Sequence, residues 1–178
     1  MKKGGIIILI EMSRQLFDSL EDYHLVRACF DPIIPMIRGK DASVKEQVYH
    51  QLNTSQQALF LFNAYYNHAC HSTEEMYWWS AYYFAQPKTW QEIKGALKYF
   101  KAAEMHDLLE KVESTFITRD YPKKLEQFSI AYNDLEKDIE LFQIFQEHNN
   151  HFQEISPATL KQIGLYIRKN PNEFIRLV

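Results

Sequence analysis

Glycine and proline are scarce in this chain, with 5 and 6 among 178 residues. That scarcity excludes long flexible linkers. Cysteine is scarcer still: Cys29 and Cys70 are the whole complement. Two well-separated cysteines in a chain able to build its own core do not make a disulfide scaffold, so the sequence implies a reducing cytoplasm. No stretch approaches the ~20 apolar residues of a membrane span. The run Ile6 to Ile10 is ended by Glu11 and is shorter than the ~7–15 residues of a secretory h-region. Residues 1–11 therefore read as an extension, disordered or not native, ahead of a single domain over 12–178, and Met12-Ser13 is an alternative natural start. An excess of positive charge is also missing. Net charge is −3, with 20 basic against 23 acidic residues, which argues against direct nucleic-acid binding driven by phosphate neutralisation.

What is present is apolar and aromatic. The apolar fraction is an ordinary 46%, but aromatics reach 15%, and those rings must fill either a large core or a contact surface. A chain of this length buries roughly 70% of the surface that its unfolded form exposes. The pattern is helical almost throughout. Leu16, Leu20, Tyr23 and then Val26 or Arg27 recur at spacings of three and four. Asp31-Pro32 opens a short element limited by Pro35 and Gly39, and Val44, Val48 and Leu52 mark a short surface helix. Three S/T-x-x-E/Q boxes follow, Thr54 with Gln57, Ser72 with Glu75 and Thr89 with Glu92, each a signature of a helix start. They predict helices over 57–69, 73–85 and 90–101. A helix over 102–116 and a long one over 123–148, opened by Pro122, come next. Ser156-Pro157 begins another to about Arg168, and Asn170-Pro171 a last turn through Phe174, Ile175 and Leu177. The only strand candidate is Ile6–Ile10, and one strand makes no sheet. The expected fold is all-α, a single irregular bundle of seven or eight helices.

Three groups of residues are candidates for function. The first is a possible metal set, His68, Cys70, His71 and Glu75, with His148 and His151 as further donors. Imidazole and thiolate suit a transition metal such as zinc, but no H-E-x-x-H, C-x-x-C or E-x-x-H spacing occurs. The second is aromatic: Phe60, Phe62, Tyr65 and Tyr66 precede the block Tyr77, Trp78, Trp79, Tyr82, Tyr83 and Phe84. Residues one apart differ by about 100° around a helix, so this block spans a wide arc and belongs either to a central helix or to a contact surface. Trp78 is expected to be the buried indole, and Trp79, Tyr77 and Tyr83 are candidate partner contacts. The third is acidic: Glu104, Asp107, Glu110 and Glu113 fall three apart, along one side of a helix. Residues 102–141 hold ten acidic and five basic residues, against a balance of +2 over the rest of the chain. Such a field would attract a basic partner. No nucleophile elbow or other catalytic motif frames a serine, cysteine or histidine, which points away from an enzyme.

Over residues 54–152 the chain resembles a family of small all-helical bacterial proteins, mostly uncharacterised, that includes a DNA-mimic protein. The likeness rests on Gln56-Gln57-Ala58-Leu59, Ala96-Leu97-Lys98-Tyr99-Phe100, Met105, Leu108-Leu109-Glu110-Lys111 and Phe116. It continues through Tyr132-Asn133-Asp134-Leu135-Glu136-Lys137-Asp138-Ile139, then Glu147-His148 and Phe152. Family members tend to carry Gly-Gly-Phe where this chain has Asn63-Ala64-Tyr65-Tyr66, and a DNA mimic would be more acidic than −3. The resemblance implies a helical bundle that binds a protein partner. The expected function is a non-enzymatic protein-interaction module, regulation being one use of it, without cofactor, acting on a protein partner or by self-association. The alternative is a metal-binding protein or metal-dependent enzyme built on the His/Cys/Glu set.

Overall fold

The computed structural model describes residues 8–178. Its α-helices are α1 (Arg14–Ser19), α2 (Asp22–Phe30), α3 (Ile34–Ile37), α4 (Ala42–His50), α5 (Thr54–Ala69), α6 (Thr73–Phe84), α7 (Pro87–Tyr99), α8 (Ala103–Thr118), α9 (Asp134–Lys137) and α10 (Ile139–Lys169). Strands β1 (Ile10–Met12) and β2 (Ile175–Leu177) pair in parallel, with Ile10 opposite Ile175 and Met12 opposite Leu177. The protein is all-α. Among the described residues seven helices reach nine residues or more, and the sheet has two strands.

The sequence reads as one domain, and the chain divides into two compact units. One runs up to Phe60 and resumes over Leu160–Val178. The other is Leu61–Thr159. Helices α5 and α10 each contribute to both.

In the first unit, Ile10 and Glu11 are strand residues and not extension, and Met12 is buried. The stretch over 1–7 lies outside the described residues. The last helical turn read at Phe174–Leu177 is instead β2, because Ile175 and Leu177 pair with β1. The single helix read over 16–27 is broken at Leu20 and Glu21, both extended, and Leu16 and Tyr23 are exposed. The break has a tertiary cause. The Arg168 guanidinium donates to the carbonyls of Phe17 and Leu20, and it pairs with Asp22 at 2.9 Å. The end of α1 therefore has its carbonyls satisfied without continuing as helix. The first capping box is shifted by one residue. Asn53 and Gln56 cap each other reciprocally, at 2.9 and 3.0 Å, where the sequence put Thr54 and Gln57.

In the second unit, α6 starts as read, with Ser72 Oγ accepting from the Glu75 N–H at 3.1 Å. Helix α7 starts earlier than Thr89. Pro87 sits in its first turn, where a missing N–H costs nothing. Between α7 and α8 the chain reverses at Lys101, which holds a left-handed φ of 59° while the Ala102 N–H reaches back to the Leu97 carbonyl at 2.9 Å. That is a Schellman cap on a residue with a Cβ. Lys101→Gly is expected to raise stability by about 0.5–1 kcal/mol, or ~2 °C in Tm. A lower Tm in calorimetry would show that the Lys101 side chain contributes more than its backbone costs.

The largest departure is at 123–148. Residues 123–138 are not one helix but a 3-10 turn at Leu125–Gln127, an irregular stretch and the single turn α9. Here turn-forming side chains and tertiary contacts override periodicity. Asp134 accepts from its own neighbourhood, the Ala131 N–H, at 2.8 Å, and the Ile130 carbonyl is taken by the Trp78 indole N–H at 3.0 Å. Asp138 then caps α10 by accepting from the Leu141 N–H at 2.9 Å. Helix α10 passes straight through Pro157, which the sequence takes as a helix start. Pro157 removes one donor, and the Ser156 hydroxyl donates to the Phe152 carbonyl within the same turn. The core of this unit is aromatic: Tyr77, Phe84, Trp90, Phe116, Phe145 and Phe152 are buried, with Tyr77 edge-on to Phe145 at 5.0 Å between centroids.

Candidate functional site: the outer face of α6 and its covering segment

Helix α6 is apolar on nearly all sides, so its residues divide by what they face. Met76, Tyr77, Ser80, Ala81 and Phe84 are buried, at spacings of one, three and four. Tyr77, a candidate partner contact from sequence, is therefore core: its hydroxyl lies 2.8 Å from that of Tyr121, and burial pushes its pKa up. Trp78 is not the fully buried indole. Trp78 and Trp79 are both half-buried, because the inward stripe runs through Tyr77 and Ser80 and leaves the two indoles on its outer flank.

Those two indoles organise a second aromatic layer. Trp78 lies parallel to Tyr82 and to Tyr132, each at 5.3 Å, and edge-on to Phe128 at 5.5 Å. Trp79 meets Trp78 at 4.9 Å and stacks on the His68 ring at 3.7 Å. Both indole N–H groups are satisfied, Trp78 by the Ile130 carbonyl and Trp79 by Glu75 at 2.8 Å. Glu75 also receives the Tyr132 hydroxyl at 3.4 Å. Tyr83 is half-buried and donates to the Ala64 carbonyl at 3.2 Å. The layer is covered only in part. Tyr132 remains 42% exposed and Ile139 74% exposed.

Beside this layer is a hollow of about 280 Å³ lined by Glu74, Leu135, Glu136, Ile139 and Phe142. Leu135 is buried and forms its floor. Glu74 starts the stripe that Trp78 and Tyr82 continue four residues apart, so the hollow is continuous with the aromatic surface along α6. Of these surface residues, the sequence nominated Trp79 and Tyr83 as contacts and missed Tyr132 and Ile139. The signal was the Asn133-Asp134 pair interrupting an apparently continuous helix.

The acidic row on α8 is split by the fold. Glu104 and Asp107 are exposed. Glu110 and Glu113 instead hold Lys94, whose side chain is only 6% exposed; Glu110 is 2.9 Å away, and Glu113 closer still. Glu113 also accepts from the Trp90 indole at 3.2 Å. Burial alone would lower the Lys94 pKa, but the carboxylates of Glu113 and Glu110 outweigh it and raise it. The Lys94 hydrogen bond holds the Glu110 carboxyl below its usual range. Half of the presumed partner face thus belongs to an internal ion cluster. His106 sits at its edge, with a buried Nε2 3.4 Å from Glu110 in poor hydrogen-bond geometry.

In the candidate metal set, His68 lies within electrostatic reach of Glu75 and His71. His68 is stacked on Trp79, Glu75 is engaged by Trp79 and Tyr132, His71 is exposed, and the Cys70 carbonyl accepts from Gln153 at 2.9 Å. His148 is 3.3 Å from the Thr115 hydroxyl, and burial lowers its pKa. Among the described residues no group of three or more His, Cys, Asp or Glu is arranged to hold a metal ion. Burial pushes the Cys29 thiol up to about 12, which makes it a poor nucleophile at neutral pH. No described helix is long and apolar enough to cross a membrane.

Comparison with family models, with curated proteins and with solved structures finds no match for this chain.

Proposed function

We propose that this protein is a non-enzymatic protein-interaction module that binds its partner through the outer face of α6 and the segment 125–139. One observation carries the reading. Tyr132 and Ile139 leave large apolar surface exposed beside four half-buried rings of α6, and the polar atoms of Trp78, Trp79 and Tyr83 are already satisfied. Aromatic and aliphatic groups clustered this way are what interface centres are made of. The sequence offered an acidic and an aromatic version of this function. The aromatic version is favoured because Glu110 and Glu113 are occupied by Lys94, which leaves Glu104 and Asp107 as the outward charges. A cytoplasmic setting goes with the reading.

The test is a comparison of captured partners. Tyr132→Ser/Ile139→Ser is expected to lose bound partner about tenfold or more, as truncation at an interface centre does, with a melting temperature close to wild type. Glu104→Lys/Asp107→Lys is expected to retain it. Equal capture by wild type and the Tyr132/Ile139 variant would exclude this face. If the partner is a second copy, light scattering will give a dimer for wild type and a monomer for that variant.

A further inference from the structure

The hollow at the end of the aromatic layer has a chemistry of its own. Its floor is Leu135 and Phe142, and its wall is Ile139, 74% exposed. Its two polar groups are carboxylates, Glu74 and Glu136, and among the described residues neither side chain has an ion-pair or hydrogen-bond partner. The nearest lysine in sequence, Lys137, is turned to Asp134 at 3.2 Å. Some other acids of this unit are answered, Glu110 and Glu113 by Lys94, and Asp138 and Glu140 by Arg119. Here an apolar hollow of about 280 Å³ carries two unanswered negative charges. Its volume is at the small end for ligand sites and suits one long side chain.

We propose that this hollow is a socket for a lysine or arginine side chain of a partner peptide, with an apolar neighbour of that residue resting on Ile139 and Tyr132. The inference rests on the interaction reading above and names the chemistry of what that surface recognises. Charge complementarity selects the occupant. The four-carbon stem of lysine, or the stem of arginine, matches the Leu135 and Phe142 floor, while the cationic head meets Glu74 and Glu136. Nucleic acid and anionic lipid would both be repelled by the same two groups.

Selection of a displayed library of twelve-residue peptides on the full chain tests this. The enriched peptides are expected to carry Lys or Arg within two positions of Leu, Ile or Phe. A synthetic peptide of that sequence should bind Glu74→Gln/Glu136→Gln about tenfold more weakly than wild type in fluorescence anisotropy, and acetylation of its lysine should have the same effect. Both substitutions are conservative and lie at the surface; circular dichroism confirms the helix content. Binding within twofold of wild type for the Gln variant would overturn the socket. So would enriched peptides without a basic residue, and if these still lost affinity to Tyr132→Ser/Ile139→Ser, the interaction surface would survive without it. Full displacement of the peptide by equimolar spermidine would assign the socket to a free amine and overturn the peptide reading. Failure to enrich any peptide would count against the socket and the surface together.

Discussion

Gly164→Val is expected to destabilise the protein by about 3 kcal/mol, the upper end of what overpacking costs, while Gly95→Ala should stabilise it by about 1 kcal/mol. Both glycines are helical, so propensity alone would favour replacing either. The difference is what a Cβ would meet. At Gly95 nothing lies within 4 Å, whereas at Gly164 an added Cβ would be 2.5 Å from the Asp22 Cβ and 2.9 Å from its Cα. The nearest atoms include backbone of α2, so relief requires α10 and α2 to separate locally. That separation would also strain the Arg168 contacts to Asp22, Phe17 and Leu20, which end α1 and start α2. Against a typical stability of ~5–15 kcal/mol the loss is large. Denaturant midpoints for the two variants check it, and similar gains for both would show that the helices yield at no cost.

Lys94→Met should cost about 3 kcal/mol at neutral pH. Its side chain is 6% exposed and its ammonium answers Glu110 and Glu113, whose side chains are 49% and 16% exposed. Removing one partner of a buried pair costs ~3–5 kcal/mol because the other charge is left uncompensated. The lower figure applies because Glu110 can turn to water and Glu113 keeps the Trp90 N–H. The sign of the pH dependence follows. The depressed carboxyl of Glu110 contributes stability that is present above the ordinary glutamate pKa and lost as pH falls through the folded one. The raised Lys94 contributes stability that is present below the ordinary lysine pKa and lost as pH rises through its own. The cluster is therefore intact across the neutral range. The Lys94→Met penalty should shrink toward pH 4, as the Glu110 carboxylate that Lys94 held ionised takes up a proton, and Lys94→Met/Glu113→Gln should recover much of it. A penalty unchanged between pH 4 and 7 would mean that the methionine costs packing and not charge.

These two sites show what the sequence could and could not tell. Helix content, the start of α6 and the break between α7 and α8 follow from capping and periodicity, which are local. Nothing near Gly164 in the sequence marks it as constrained, because Asp22, which an added Cβ would meet, is 142 positions away in the chain. Glu110 and Glu113 looked like a solvated face because Lys94 lies on another helix. The segment 123–138 looked helical because Phe128, Tyr132 and Leu135 keep a helical spacing. In the fold those rings are spent on Trp78, and the Ile130 carbonyl on its indole. The candidate surface was half legible: the rings of α6 stood out by composition, but the residues that cover and rim them became visible only once that helix was broken.

The most direct measurement is hydrogen–deuterium exchange of the chain with and without its captured partner. Backbone amides of 125–139 and the first two turns of α6 should gain protection on binding, with α4 and the exposed end of α8 near Glu104 and Asp107 unchanged. Protection confined to the Glu104 and Asp107 turn, or spread elsewhere while 125–139 exchanges as before, would contradict the assignment of this surface.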